Sequence, residues 1–236
     1  IIATFILFAN VFYTSLIVPL FNKLTPLSDE SLMEKIEAYC REVSFPIKNI
    51  LVIDGSKRST KANAFFSGLG RSKKVVLYDT LLENHSDSEL VAVLAHEIGH
   101  YKKHHILLGY ALSLLQTGLM LYIMSFVIFH EELSLALGGE EWAIHLNILA
   151  FGLLYSPIST LLSILSNHVS RKNEFEADAF AGSTYDAGSL QLALKKLSVK
   201  SLSNLYPHPA YVFVHYSHPP LLKRLKALDQ LRRAPS

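Results

Sequence analysis

Long runs of uncharged, mostly apolar residues dominate the chain. Three of them contain no Lys, Arg, Asp or Glu, and they lie at residues 1–22, 104–130 and 142–170. A helix needs about 20 mostly apolar residues to cross the hydrocarbon core of a bilayer, so each run is long enough. Buried core helices of soluble proteins are the alternative, but those seldom exceed about 20 residues. We therefore predict three transmembrane helices, at residues 1–22, 106–129 and 142–168.

The region between the first two apolar runs contains shorter apolar patterns, which are typical of one amphipathic helix and several strands. From Leu32 to Val43, apolar residues recur at the spacing of one helix face, after helix-start signals at Pro26 and Ser28. Three short runs rich in β-branched and aromatic residues predict strands, at residues 50–53, 63–66 and 74–78. A small β-sheet is therefore expected before the second apolar run.

A capping box marks the start of the next helix. Ser86 is the expected N-cap and Glu89 stands at the third helical position, so the helix should run on past His100. Two more helices are expected after the third apolar run. One covers Glu174 to Ala181, and the other runs from Pro219-Pro220 to Leu231, because proline suits the first position of a helix.

Composition and charge narrow the class of protein. Half of the residues are hydrophobic and 18% are charged, whereas soluble domains carry about 25% charged residues. The net charge of +2 gives no case for a nucleic-acid partner. No Lys or Arg occurs between Lys103 and Arg171, so the positive-inside rule predicts a lumenal loop at 130–141 and a cytosolic location for the basic residues on the other side. Cys40 is the single cysteine, which excludes an intrachain disulfide and predicts a small core residue.

The start of the chain gives a further expectation. It opens directly in apolar sequence without Met and without a basic segment, so it does not resemble a signal peptide. We expect a fragment whose upstream part is missing.

The most informative chemistry lies in the sequence His96-Glu97-Ile98-Gly99-His100. Residues four apart share a helix face, so both imidazoles can reach one metal ion and Glu97 can act on a water beside it. The alternative is a pair of histidines on a solvated helix face. The capping box favours the metal site, because it places the motif on a helix.

A catalytic zinc usually has three protein ligands and an open fourth position. Glu174 and Asp178 are four residues apart and share a helix face, whereas Glu176 points away from both. We predict one Zn²⁺ per chain held by His96, His100 and Glu174, with Asp178 as an acceptor that orients a ligand histidine. An ordinary acidic helix start is the alternative for the two carboxylates.

Two other segments carry weaker signals. Residues 63–66 could pair with an extended peptide at a strand edge, but an ordinary structural strand is at least as compatible with the sequence. His218 directly precedes a helix that begins with proline, which suits stabilisation of an oxyanion. Any one such histidine is more often a packed or exposed residue.

With these motifs together, the sequence resembles the integral-membrane CAAX prenyl proteases of the zinc metallopeptidase class. The motif around His96 carries part of the resemblance, and further segments spread it over nearly the whole chain after the first apolar run. These segments are Asp54 to Ser59, Asn63 to Phe66, Val76 to Leu82, Ser170 to Asp178 and His215 to Leu225.

The resemblance implies roles for individual residues. Glu174, rather than Glu176, corresponds to the third zinc ligand, and His218 and Arg224 correspond to residues near the reacting carbonyl. The substrate-holding edge strand corresponds to Asn63, Ala64 and Phe65. The implied activity removes the last three residues from proteins whose C-terminal C-a-a-X cysteine is prenylated, and some members make a second cut upstream.

The resemblance also implies surroundings. Members lie in the endoplasmic reticulum membrane and, in some organisms, the inner nuclear membrane, as a seven-helix bundle around a water-filled chamber. Only the last three spans occur in this chain, so missing N-terminal transmembrane helices of the same protein are implied partners, beside the bilayer and prenylated substrates.

The predicted fold is a mainly α membrane protein whose transmembrane helices join a zincin-like α+β metallopeptidase portion with a small β-sheet. The zinc portion covers residues 23–105 on the cytosolic side, and a C-terminal portion at 169–236 supplies the third ligand. Two other functions are open. One is a membrane quality-control zinc protease that clears misfolded membrane proteins, and the other is a non-catalytic membrane scaffold with structural zinc. An intact Glu97 argues against the scaffold.

Overall fold

A computed structural model describes residues 18–57, 63–67 and 74–233 of the chain. Most of the predicted helix at 1–22 lies outside these residues, as does the loop with Gly68 and Gly70. The described residues divide into two compact units. The first unit draws on 1–103, 173–207 and 219–236, and the second on 104–172 and 208–218.

A four-stranded mixed sheet forms part of the first unit. Its strands are β1 (Leu24–Pro26), β2 (Asn49–Ile53), β3 (Ala64–Ser67) and β4 (Lys74–Tyr78), in the order β1-β2-β4-β3. The central pair β2 and β4 is parallel, and both outer pairs are antiparallel. The three predicted strands are confirmed. The predicted helix start at Pro26 is wrong, because that residue ends β1.

The first unit contains six helices among the described residues, and side-chain caps mark the start of three of them. They are α1 (Val18–Phe21), α2 (Glu30–Glu42), α3 (Asp79–Leu82), α4 (Asp87–Lys102), α8 (Ala187–Lys200) and α10 (Leu221–Arg233). Asp29 caps α2 by accepting from the Leu32 N–H, in place of the predicted Ser28. The predicted capping box of α4 is confirmed, since Ser86 and Glu89 bond each other's backbone N–H groups.

A large apolar core joins most of these elements, and a smaller cluster packs Val18 of α1 with Ile53 and Val76 of the sheet. Ile36 of α2, Leu77 of β4 and Leu94 of α4 are almost fully buried in the large core, together with Leu190 of α8 and Leu228 of α10. Burying one such side chain contributes about 1.5–3 kcal/mol. Cys40 belongs to the same core, as predicted. The core fixes α4, the helix with the predicted metal motif, against α8 and the sheet.

The second unit consists of helices. They are α5 (His105–Val127), α6 (Glu131–Ala136), the N-terminal part of α7 (Ile144–Ala181) and α9 (Pro209–His215). Among the described residues, two helices are long and apolar enough to cross a membrane, and they correspond to the second and third predicted spans. The predicted lumenal loop contains α6.

The end of α7 differs from the prediction. Residues 174–181 do not form a separate helix but continue α7 without interruption, followed by a π-helical turn at Gly182–Asp186. The sequence lacks a break signal between the third apolar run and Glu174, so helix propagation continues through the charged residues. Helices α8 and α9 were not predicted, because their exposed leucine, valine and aromatic residues obscure the helical period.

Candidate metal centre

The three predicted ligands come together in the first unit. His96 and His100 lie one turn apart on α4, and Glu174 lies on α7. The two Nε2 atoms are 3.1 Å apart. Glu174 places Oε2 at 3.6 Å from Nε2 of His96 and Oε1 at 3.3 Å from Nε2 of His100. These are the residues in the described part of the chain whose ligand atoms could share one metal ion.

The spacing of the three donor groups fits a zinc ion. At Zn–N distances of about 2.0–2.1 Å, neighbouring ligands of a tetrahedral zinc lie about 3.3–3.4 Å apart. The three observed distances between donor atoms lie within a few tenths of an ångström of this ligand–ligand distance. Two imidazoles and one carboxylate are also the donor set of many catalytic zinc sites, which keep a fourth position open.

Gly99 explains how α4 and α7 approach closely enough. A Cβ at this position would lie 3.0 Å from Cα and 3.1 Å from the carbonyl oxygen of Ala177 on α7. Any larger residue would push α7, and with it Glu174, away from the histidines. The sequence analysis assigned Gly99 no role, although a glycine inside a stable helix is itself a signal, since it costs about 1 kcal/mol relative to alanine.

Two charged side chains, Asp178 and Arg224, contact the predicted ligands His96 and Glu174. Oδ1 of Asp178 lies 2.9 Å from Nδ1 of His96. The Arg224 guanidinium binds both oxygens of Asp178, at 2.7 and 2.6 Å, and Nη1 lies 3.1 Å from Glu174 Oε2. Asp178, Glu174 and Arg224 are all buried. Burial would raise the pKa of Asp178, but Arg224 and His96 outweigh it and lower that pKa below its usual range.

Arg224 lies directly against the predicted ligand set. Its donors are directed at Asp178 and at the Glu174 carboxylate, and its implied place near the reacting carbonyl stays a prediction. Such bidentate pairing fixes both carboxylates in orientation. The side chain is positioned to hold the ligands in place.

Glu97 is the carboxylate suited to proton transfer. Loss of hydration raises its pKa above the usual value, and the Glu174 carboxylate adds to this, although His96, His100 and Arg224 act in the opposite direction. A raised pKa brings a carboxylate closer to neutral pH, where it can both accept and return a proton.

The remaining predicted residues lie in other surroundings. Glu176 is partly buried and two residues from Glu174, on another face of α7. Asn63 directly precedes β3, the last strand in the sheet order, and the Tyr78 N–H donates to its carbonyl. Ala64 is buried and Phe65 partly buried within β3. His218 belongs to the second unit, where its Nδ1 lies 3.0 Å from the Ser217 hydroxyl.

Comparison with known proteins supports a relationship over most of the chain. The model of peptidase family M48 matches residues 26–232. The CAAX prenyl protease 1 homolog of Oryza sativa subsp. japonica is 41% identical over 218 residues, covering 92% of this chain and 51% of the relative. CAAX prenyl protease 1 of Saccharomyces cerevisiae is 38% identical over 229 residues, covering 90% and 51%.

A solved structure agrees with the fold. The crystal structure of S. mikatae Ste24p matches 97% of this chain and 57% of that protein, with a TM-score of 0.87 and 37% identity. The chain thus spans about half the length of the curated relatives that it matches. This similarity and the two apolar helices indicate a multi-pass membrane protein.

Proposed function

Because the chain belongs to peptidase family M48, we propose that it carries the catalytic centre of a zinc endopeptidase that removes the C-terminal tripeptide from prenylated CAAX proteins. The observation that supports this most directly is the convergence of the ligand atoms of His96, His100 and Glu174. Glu97 adjoins His96 on α4 and interacts electrostatically with all three. The names of the relatives supply the substrate class. A second cut upstream in the same substrate is part of the proposal.

The proposed reaction is hydrolysis of a peptide bond. A zinc ion held by the three ligands would polarise the scissile carbonyl and lower the pKa of a water to about 7. Glu97 takes a proton from the attacking water as the new C–O bond forms. It then returns that proton to the leaving amine as the C–N bond breaks, so one carboxylate serves as base and acid.

Other residues position the reacting groups. Asp178 holds the ring of His96, and Arg224 fixes Asp178 and Glu174. We assign to His218 a hydrogen bond to the developing oxyanion, a type of contact whose removal costs about 10²–10³-fold in rate. We assign to Asn63, Ala64 and Phe65 the strand edge that pairs with an extended substrate. Support comes from the terminal position of β3 in the sheet order.

The proposed location is the endoplasmic reticulum membrane, with the inner nuclear membrane as a further site, and the zinc centre facing the cytosol. The distribution of lysine and arginine supports this orientation. A glycosylation acceptor introduced at Gly139 should be modified, whereas one at Ser56 should remain unmodified. The reverse pattern would invert the topology.

A cleavage assay on the full-length protein tests the function. A farnesylated CAAX peptide should lose three residues, chelator should abolish the reaction, and added Zn²⁺ should restore it. Mass spectrometry of the products reports both cuts. The same peptide without its prenyl group is the matched control. No cleavage of the prenylated peptide by a metal-loaded protein would overturn the proposal.

The same assay separates the alternatives. Cleavage of an unmodified, misfolded membrane protein, with no preference for the prenylated peptide, would indicate a quality-control protease. Bound zinc without any hydrolysis would indicate a scaffold. The intact Glu97 beside the ligands argues against the scaffold, since a structural site requires ligands but no base.

A further inference from the structure

The segment that follows α8 exposes its apolar side chains. We call residues 199–206 the apolar loop. Leu202 is 91% exposed, Tyr206 83%, Val199 76% and Leu205 42%. Isolated exposed leucines are common on protein surfaces, but four large apolar side chains within eight residues form a patch. A patch of this kind indicates a binding surface.

The polar side chains of the apolar loop bond its own backbone. The Ser201 hydroxyl donates to the Leu197 carbonyl at 2.9 Å, and the Asn204 side-chain oxygen accepts from the Tyr206 N–H at 2.9 Å. These bonds satisfy backbone groups that would otherwise require water. The loop therefore presents apolar groups outwards while four of its backbone N–H groups, from Ser201 to Ser203 and at Tyr206, are bonded within the chain.

Leu202 stands where a glycine is usual. The Ser203 N–H bonds the Ser198 carbonyl and the Leu202 N–H bonds the Val199 carbonyl, which is the Schellman pattern of a helix end. Leu202 has the left-handed φ of 51° that this motif demands, a conformation disfavoured for leucine. No burial within the unit compensates for it. The strained position serves to project a leucine outwards.

The residues around the apolar loop carry positive charge, which favours an anionic binding partner. Residues 187–228 contain no Asp or Glu, and Lys195 and Lys200 flank the exposed valine. Lys195 and Val199 are four residues apart on α8 and share its exposed face with Leu192. Leucine, valine and tyrosine among lysines are the composition of helices that lie in the interface of an anionic bilayer.

We propose that the apolar loop inserts Leu202 and Tyr206 into the headgroup region of an anionic membrane leaflet, with Lys195 and Lys200 at the lipid phosphates. Leu202 is six residues from His208, so the chain keeps it within about 20 Å of the start of α9. Helix α9 is bonded to Asn167 and Arg171, where the uncharged run of α7 ends. The insertion would anchor the metal-binding unit at the surface where lipid-modified chains reside, and it does not depend on the proposed peptidase activity.

Spin labelling of the full-length protein in nanodiscs tests this. A label at Leu202→Cys is compared with one at Ala38→Cys, an exposed control position on α2. Other reactive cysteines are replaced by serine. Cys40 can remain, because it is buried and loss of hydration raises its pKa to about 12. Collision rates with oxygen and with a water-soluble nickel chelate are measured in phosphatidylcholine discs, with and without phosphatidylserine.

The three environments of the label give different results. Immersion in lipid raises oxygen collisions and lowers nickel collisions at 202 relative to 38, and it should deepen with phosphatidylserine. The double variant Lys195→Glu/Lys200→Glu should lose that deepening. High nickel access at both positions would show a solvated loop and overturn the proposal. Low collision rates with both reagents at position 202 would show that protein covers the loop, which would also overturn the proposal. An immersion depth that depends neither on phosphatidylserine nor on the two lysines would overturn the preference for anionic lipid.

Discussion

In the first unit the apolar side chains are buried, whereas in the second unit many leucines and isoleucines of α5 and α7 face outwards. Leu94 and Ile98 of α4 are almost inaccessible, but Leu115 of α5 and Leu165 of α7 are largely exposed. The buried side chains of the second unit include the polar Ser134 and Asn147. The two units are thus built for different solvents.

The difference concerns which interaction holds each unit together. Burial of apolar surface drives folding in water but not among lipid tails, where packing and interhelical hydrogen bonds take over. The amide nitrogen of Asn147 shares its two hydrogens among three carbonyls at the end of α5, and the amide oxygen accepts from the Ser134 hydroxyl. In the first unit, the charged metal centre lies inside, while the apolar loop and Leu20 and Phe21 of α1 are exposed, so these places depart from its pattern.

Removal of a metal ligand should have the largest effect of any single change. In full-length protein, Glu174→Ala should reduce bound zinc from one ion per chain to almost none and abolish turnover, because two histidines alone bind far more weakly. Glu176→Ala is the matched control and should keep its metal. Metal analysis of the purified variants decides between them. Full occupancy in Glu174→Ala, with loss in Glu176→Ala, would reverse the assignment.

Glu97→Gln should separate catalysis from metal binding. The amide keeps the size and polarity of the side chain but cannot accept the proton, and general acid–base catalysis is worth about 10²–10⁴-fold. The variant should retain zinc and bind prenylated peptide, yet lose turnover by that factor. Glu34→Gln, on the exposed side of α2, serves as control. A near-normal rate would refute the mechanism, and loss of zinc would give Glu97 a structural role.

The metal motif could be predicted because it is local. His96 and His100 share a helix face by spacing alone, and the capping box at Ser86 fixes that helix, so neither inference requires tertiary contacts. Glu174 was separated from Glu176 by the same face argument together with the resemblance. The strands were visible for a similar reason, since short β-branched runs are a local signal.

Other features depend on contacts between distant parts of the chain. The position of Arg224 behind Asp178 arises from the packing of α10 against α7 and α8, and no spacing rule connects residues 46 apart. The role of Gly99 depends on the approach of Ala177 from another helix. Helix α8 was not recognised because its exposed face carries Leu192 and Val199, which removes the usual polar half of the period.

Gly99→Ala tests whether the tight contact between α4 and α7 sets the ligand spacing. The added methyl group must displace the Ala177 backbone by a few tenths of an ångström, which moves Glu174 relative to the histidines. A misplacement of about 1 Å can cost about 10²-fold in rate, so we expect a smaller loss, with weakened zinc affinity. Gly118→Ala on α5, where nothing lies within 4 Å, is the matched control. Unchanged zinc affinity and rate would contradict this role.

Asn147→Ala tests whether hydrogen bonds between helices stabilise the second unit. It removes the amide donor shared by three carbonyls at the end of α5, each of which keeps one other N–H partner. Loss of such a hydrogen bond typically costs about 0.5–1.5 kcal/mol. The apparent melting temperature of the full-length protein in detergent should fall, while zinc content stays unchanged because the metal centre lies in the first unit. Ser125→Ala, which removes one exposed local bond, is the control. An unchanged melting temperature would show that these bonds do not stabilise the unit.

The smallest effect concerns a charge at the edge of the first unit's core. The Glu89 carboxylate is buried, accepts from the Ser86 N–H at 2.9 Å and lies 2.7 Å from the Lys196 ammonium. Burial would raise the pKa of Glu89, but Lys196 and Ser86 outweigh it and lower that pKa. Since Lys196 is half exposed, we expect the pair to contribute about 1 kcal/mol or less.

The dependence on pH isolates this contribution. Glu89→Gln preserves the capping box, because glutamine serves at that position, and removes only the charge. A carboxyl whose folded pKa is lowered stabilises the fold above its unfolded value of about 4.3, and the stabilisation disappears as pH falls through the lower folded value. The wild-type protein should therefore melt above Glu89→Gln at pH 7, and the two curves should converge in acid below pH of about 4. Lys196→Gln should give the same convergence of melting temperatures with the wild type. A difference in melting temperature that persists unchanged in acid would mean that the Glu89 charge does not stabilise the fold.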